Sequence, residues 1–366
     1  MNDTMPPLTL RGLRLRGVEV PMALPLHTGG GRIDLAPLAL IDLLTDQGVT
    51  GSTYLFCYTS RVLKPVLQLL AELSDELAGA AVAPLDLDRR LRARFRLLGV
   101  KGVVGMAMAG IDMAAWDALA RAQGLPLAKL LGGSIRPIRS YNSCGLGLIG
   151  PAAAAAEAER LLRPGFRALK VRLGYPDEQT DLAVVRAVRQ AVGDDVVLMA
   201  DYNQSLSVAE SKRRVQLLDG EGLHWIEEPT LADDHAGHAT IRMHARTAIQ
   251  IGENWWGPHE MAQALAVAAC DLGMPDAMKI GGVTGWQRAA ALADAAGLPL
   301  SSHLFPGVSA HLLAASPTVD WLEFVDWAAP ILQQPLAVRD GHVSAHEVPG
   351  SGVAWDEAAV ARFQVA

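Results

Sequence analysis

Three carboxylates stand at equal intervals in this chain. Asp201 closes the apolar run VVLMAD, Glu227 closes LHWIE and Glu253 follows IQIG, spacings of 227 − 201 = 26 and 253 − 227 = 26 residues. That interval fits one strand plus one helix, so one carboxylate arrives per βα unit. A single acid on a βα loop is ordinary; three in phase at the ends of successive barrel strands meet around one point. Three anions there repel one another unless a cation neutralises them. An all-oxygen set points to Mg²⁺, with Mn²⁺ as the alternative, rather than to a thiophilic metal. The series continues with Asp276 in MPDAMKIGG, His303 in LSSHLF and Glu323 in WLEFVD. An Asp one strand before a His can fix its tautomer and raise its basicity, which makes a poised general base. Upstream, RALKVRLG (167–174) carries Lys170 and Arg172 two residues apart in a strand pattern. They share a face, and two cations on one face of a buried strand need negative charge to serve.

These side chains require a scaffold. Residues 13–58 alternate short apolar strands with turns, around the polar, Gly-rich loop LHTGGGRIDL. Helical periodicity follows from about 61 to 130, clearest in RVLKPVLQLLAELSDELAG and GMAMAGIDMAAWDALARAQG. Together they predict a separate α+β domain over 1–132. After RPIRSYNSCG the strands RALKVRLG, DVVLMADYN, LHWIEEP, AIQIGEN, AMKIGG, PLSSHLF and DWLEFVD alternate with amphipathic stretches such as DEQTDLAVVRAVRQAVG. About seven or eight such units predict a closed barrel rather than an open sheet, over 133–330. Residues 331–366 revert to short strands and Pro-Gly turns, and are expected to pack back on the first domain.

The ordered set AGIDMAAWDAL, GFRALKVRLGYP, DYNQSL, WIEEPT, GENWWGP, MPDAMKIGGVTGW and SSHLF resembles the enolase superfamily, and within it the mandelate racemase group. The resemblance covers nearly the whole chain. It implies a modified (β/α)₇β TIM barrel under an N-terminal α+β capping domain, a homo-oligomer, and Mg²⁺-assisted removal of the proton α to the carboxylate of a small hydroxycarboxylate substrate. Asp201, Glu227 and Glu253 become the metal ligands, and Asn203 a contact to substrate or metal-bound oxygen. Lys170 would stand beside one oxygen of the substrate carboxylate. Glu323, kept protonated, would donate to the other, and His303 with Asp276 would be the base. His27 in the glycine-rich loop, Phe56 and Tyr58 in TYLFCY, and Ser143 complete the substrate-contacting set. Arg32 and Asp34 in the same loop suit a hydrophilic acid.

One position departs from the racemase pattern, which has a second Lys two residues after the first. Arg172 stands there, and a guanidinium is a poor general base but a good partner for carboxylate or hydroxyl oxygens. Arg172 therefore puts two-base racemisation in question. Racemase or epimerase chemistry is the leading reading, one-base dehydration of a sugar acid the second, and a silent carboxylate binder the third.

Composition narrows the rest. With 366 residues, half of them hydrophobic, the chain can bury a sizeable core. A formal net charge of −7 removes the electrostatic pull that nucleic-acid binders use, and RRLRARFR (89–96) reads as the solvated side of a helix. MNDTMPPLTL lacks a signal-peptide pattern and no uninterrupted apolar run is long enough to span a bilayer, so a cytoplasmic protein with no membrane partner is expected. Cys57, Cys144 and Cys270 are odd in number and not at metal spacing, as in a reducing compartment. KIGGVTG lacks the Lys-Ser/Thr of a phosphate loop and reads as a tight turn.

Overall fold

The computed structural model describes residues 8–366; residues 1–7, which the sequence reading places in the capping domain and which begin the stretch read as lacking a signal peptide, lie outside the described residues. The cap opens with the antiparallel sheet β1 (Leu10–Thr28), β2 (Gly31–Thr45) and β3 (Thr50–Phe56), followed by α1 (Ser60–Leu77), α2 (Pro84–Arg94), α3 (Gly102–Ala122) and the short α4 (Leu127–Leu130). The stretch LHTGGGRIDL is strand rather than loop. Pairing continues through His27↔Arg32 and Thr28↔Gly31, because Gly29-Gly30 is a two-residue turn of the kind that joins twisted strands tightly. Helix α3 is long and apolar enough to cross a membrane by composition, yet 72% of its most apolar window is buried. It lies against β3 so closely that a Cβ at Gly51 would sit 2.0 Å from the Ala114 carbonyl oxygen. Its two acids are satisfied: Asp117 accepts from Ser52 N at 2.7 Å and Asp112 from Thr284 N at 2.9 Å, the latter tying cap to barrel.

The barrel follows as β4 (Ile138–Asn142), α5 (Pro151–Leu162), β5 (Ala168–Arg172), α6 (Glu178–Val192), β6 (Val197–Asp201), α7 (Val208–Leu218), β7 (Leu223–Glu227), α8 (His235–Arg242), β8 (Ala248–Ile251), α9 (Pro258–Ala266), β9 (Leu272–Gly273), α10 (Gly282–Ala296), β10 (Leu300–Ser302), α11 (Pro306–Ala314) and β11 (Val319–Phe324). Neighbouring strands are parallel in chain order, and β11 pairs with β4 to close the ring. This is a (β/α)₇β barrel. RPIRSYNSCG, read as the boundary, contains its first strand. AMKIGG, read as a strand, is a turn after β9, because Asp276 Oδ1 accepts from Met278 N at 2.7 Å and Lys279 N at 2.9 Å and coils the chain there.

Inward-facing Tyr141, Ala168, Met199, Trp225 and Trp321 plug the barrel. Because side chains on one face recur every second residue, the next inward layer is Ser143, Lys170, Asp201, Glu227 and Glu323, each two residues further on. An apolar floor thus carries a polar layer.

The tail returns to both domains. β12 (His342–Val343) pairs antiparallel with β4, and α12 (Glu357–Phe363) leads to a bridge between Gln364 and Val18 of β1. Buried Asp42 joins these pieces: it accepts from Arg16 at 3.0 Å, Ser52 Oγ at 2.7 Å and Trp355 Nε1 at 2.7 Å. Asp42→Ala leaves the largely buried Arg16 with Glu357 as its remaining carboxylate partner and strips Ser52 and Trp355 of their acceptor, and we expect a loss of about 3 kcal/mol, read from the urea unfolding midpoint.

Candidate active site

Register places the charged layer. Arg172 lies opposite Asp201, and Asp201 opposite Glu227, in adjacent parallel strands. Asp201, Glu227 and Glu253 are all buried, and one oxygen from each lies within 4.8 Å of the others. Lys170, 1% exposed, reaches Glu227 Oε1 at 2.8 Å, Glu323 Oε1 at 2.9 Å and Asp201 Oδ2 at 3.3 Å. One ammonium therefore faces three acids. Burial raises the Asp201 carboxyl above its ordinary value and Glu227 well above it; Lys170 pulls both back, and repulsion from neighbouring carboxylates adds to the rise. Burial also opposes ionisation of Glu253, but His303, Lys279 and Lys170 bring its pKa below the usual value. A cluster so short of positive charge, built only of oxygen donors, suits a hard divalent cation. Asp201, Glu227 and Glu253 form a cluster that could hold Mg²⁺.

The base pair is set by backbone register as well. Asp276 and His303 form a parallel bridge between adjacent segments, so their side chains meet: Nδ1 of His303 stands 2.7 Å from Asp276 Oδ2. Nε2 is left facing the carboxylates, 3.4 Å from Glu253 Oε2 and 3.8 Å from Glu323 Oε2. Burial lowers the imidazole pKa, but Glu253, Glu323 and Asp276 outweigh it and the net shift is upward.

Glu323 is surrounded by donors. Burial pushes its pKa up, but Lys170, His303 and the Leu304 N–H at 2.8 Å hold it down to about 2. Both oxygens face donors, which suits an ionised carboxylate where the resemblance implies a neutral acid. Arg172, 3% exposed, donates to the carbonyls of Gly145 at 2.7 Å and Ser143 at 3.1 Å and to Ser143 Oγ at 3.2 Å. Ser143, expected to touch substrate, thus holds Arg172. Nε of Arg172 and Oδ1 of Asn203 are buried without a hydrogen-bond partner, while Asn203 Nδ2 donates to Asp201 at 2.8 Å.

Of the aromatic residues expected to touch substrate, Tyr58 packs on Phe56 with ring centroids 4.6 Å apart, and the Trp327 ring lies 5.0 Å from Phe56. His27 lies on the hairpin and contributes its carbonyl to Leu148 N at 2.9 Å; its ring makes no hydrogen bond to the carboxylate cluster among the described residues. Arg32 and Asp34 pair with each other at 2.8 Å on the exposed tip. Sequence reasoning missed Glu228, Asn254 and Lys279, which stand beside Glu253. The doubled acid of IEEP, the GEN triplet and the one Lys of AMKIGG were the available signals.

Comparison with known proteins agrees with this geometry. Residues 11–132 match the mandelate racemase / muconate lactonizing enzyme N-terminal domain, and residues 153–359 the enolase C-terminal domain-like family. The chain belongs to the mandelate racemase / muconate lactonizing enzyme family of the enolase superfamily. A Bradyrhizobium enolase solved with magnesium and mandelic acid is 48% identical, with a TM-score of 0.94 over 99% of this chain and 100% of that one. The 3,6-anhydro-α-L-galactonate cycloisomerase of Streptomyces coelicolor is 31% identical over 95% of this chain and 97% of its own. The L-talarate/galactarate dehydratase of Salmonella typhimurium is 33% identical over 79% of this chain and 73% of its own. Family members are thus isomerases, cycloisomerases and dehydratases, and this chain is a Mg²⁺-dependent enzyme of that kind.

A base must be unprotonated to act, so with His303 as the base the acid limb of kcat/KM would follow the imidazole pKa, which Asp276 helps to raise. Asp276→Asn removes one of the anions that raise it. We expect the acid limb to move to lower pH and kcat to fall about 100-fold or more, seen in a pH–rate profile; an unmoved limb would assign it to another group.

Proposed function

We propose that the protein removes the α-proton of a 2-hydroxycarboxylate through His303, giving an enediolate that regains a proton from solvent on the opposite face as the racemised or epimerised acid. The observation that supports this most is the position of His303 Nε2, 3.4 Å from Glu253 of the carboxylate cluster, with Nδ1 held by Asp276 at 2.7 Å. Mg²⁺ supplies Lewis-acid stabilisation of charge on the substrate carboxylate when it is bound. Lys170 adds a fixed positive charge whose pKa its carboxylate neighbours hold well above the usual value despite burial, so it stays an ammonium and is no base. Asp276 Oδ2 fixes the Nδ1–H tautomer, leaving the Nε2 lone pair to accept the proton. Asn203 Oδ1 and Arg172 Nε, buried and unpartnered, are a free acceptor and a free donor for substrate hydroxyls. The assembled form in this reading is a cytoplasmic homo-oligomer.

A second reading has its own support. Arg172 is tied to two backbone carbonyls and a guanidinium is a poor general acid or base, so it is unsuited to return a proton to the face opposite His303. Dehydration of a sugar acid needs only one base, since a β-hydroxyl leaves instead.

The two outcomes separate in deuterium oxide with Mg²⁺ and a panel of aryl hydroxy acids and sugar mono- and diacids. Racemisation places deuterium at the α-carbon with the hydroxyl kept; dehydration gives a 2-keto acid that semicarbazide traps. His303→Asn should lower either activity by about 10²–10⁴-fold. No exchange and no keto acid with any of the panel would overturn both readings. Arg172→Lys provides an amine that can deprotonate, and should raise the rate of exchange with the enantiomer whose proton lies on the opposite face. An unchanged ratio of exchange rates between enantiomers would count against any proton-transfer role for position 172.

A further inference from the structure

Beside the carboxylate cluster lies a network that the chemistry above does not use. Glu228 is buried, at 1% exposure, and its backbone is in the left-handed region at φ 35°. Asn254 Nδ2 donates to both its oxygens, at 3.0 and 2.8 Å, and to Glu253 Oε1 at 3.1 Å. Two carboxylates therefore share one amide nitrogen. On the other end of that amide, Lys279 Nζ donates to Asn254 Oδ1 at 2.5 Å. The same ammonium lies 4.6 Å from the centroid of the Tyr58 ring, and Tyr58, at φ 57°, belongs to the cap. Two left-handed non-glycine residues at the two ends of one network mark positions the surroundings must hold in place.

The chemistry of the link is directional. An ammonium can only donate and ionised carboxylates can only accept, so Lys279 turns the Asn254 oxygen toward itself and the NH₂ toward Glu228 and Glu253. Lys170 supplies its charge by direct contact with Glu227 and Asp201. Lys279 instead supplies charge at one remove, and leaves Glu253 Oε2 facing His303 and the cluster. Its cation–π contact adds a condition: the ammonium is held where it is only while Tyr58 of the cap is seated over it.

We propose that Lys279 is a positioning residue, which through Asn254 fixes the orientation of Glu253 for Mg²⁺ and through Tyr58 couples that orientation to the seating of the cap. The proposal rests on the reading of Asp201, Glu227 and Glu253 as the Mg²⁺ site. Bare electrostatics gives the opposite sign for its test, since removing a cation near three carboxylates should tighten Mg²⁺ binding. Loss of an outer partner that orients a ligand weakens it instead, typically about 10- to 100-fold.

The test is Mg²⁺ affinity by titration calorimetry on the full chain, with Mg²⁺ alone. Lys279→Met should weaken binding about 10- to 100-fold, and Lys279→Arg, which keeps donor, charge and ring contact, should restore most of it. Asn254→Leu cuts the same link from the other side, so it should weaken binding similarly, and the double variant should be no worse than the weaker-binding single variant. If Lys279→Met fails to fold, Asn254→Leu and Tyr58→Leu still read the two halves of the coupling, each expected to weaken Mg²⁺. Unchanged or tighter binding in the folded variants, or fully additive losses, overturns the proposal. Failure of the wild-type chain to bind Mg²⁺ at all overturns the underlying reading too, and Glu227→Gln, expected to abolish binding, distinguishes that case.

Discussion

The barrel mouth is organised around one buried ammonium. Lys170 sits above the aromatic plug, its Nζ 5.7 Å from the Tyr141 ring centroid, with carboxylates from β6, β7 and β11 around it. Burying a charge of either sign alone is costly, and breaking a buried pair by removing one partner leaves an uncompensated charge. Each of these groups is tolerated because of the others, and the set remains net negative. That residue of negative charge is the property a divalent cation answers, so the site's affinity for metal follows from how the barrel satisfies, and fails to satisfy fully, its own interior.

Position in the layer explains why this could be read from sequence. Strand periodicity of two converts each inward apolar residue into a pointer to a functional one: Ala168 to Lys170, Met199 to Asp201, Trp225 to Glu227, Trp321 to Glu323. The interval of 26 residues between successive carboxylates is the length of one βα unit, so topology, layer and chemistry appear in the one-dimensional text as a single period. The dyad of Asp276 and His303 was legible on the same grounds, since they follow adjacent strands.

What escaped the sequence lies off that period. AMKIGG has strand-like residues, but a side-chain oxygen of Asp276 captures two backbone N–H groups and turns the chain; local hydrogen bonding defeats propensity there. The glycine-rich hairpin reads as loop by composition, although its glycines serve only the two-residue turn while cross-strand pairing runs to either side. The lowered pKa of Glu323 depends on Lys170, which comes from a strand far away in the chain, and on His303, which follows the preceding strand. Glu228, Asn254 and Lys279 escaped for a similar reason: their motifs mark them only faintly, and each is an ordinary polar residue until the fold places the amide between two acids and an ammonium.

Arg172 shows how one substitution can alter chemistry without disturbing the frame. Its guanidinium makes three hydrogen bonds to the segment after β4, two of them to the carbonyls of Ser143 and Gly145. A lysine has three donors on a single nitrogen and no fork, so it cannot span two carbonyls with the same fixed geometry. The arginine thus ties the mouth of β5 to the segment that follows β4, and its charge offsets part of the rise that burial imposes on the Asp201 pKa. Charge near the carboxylate cluster is kept, while the ability to lose a proton is given up. The two groups thus differ in kind: His303 is an imidazole whose pKa its carboxylate neighbours raise, whereas Arg172 is a guanidinium committed to backbone carbonyls of the segment after β4.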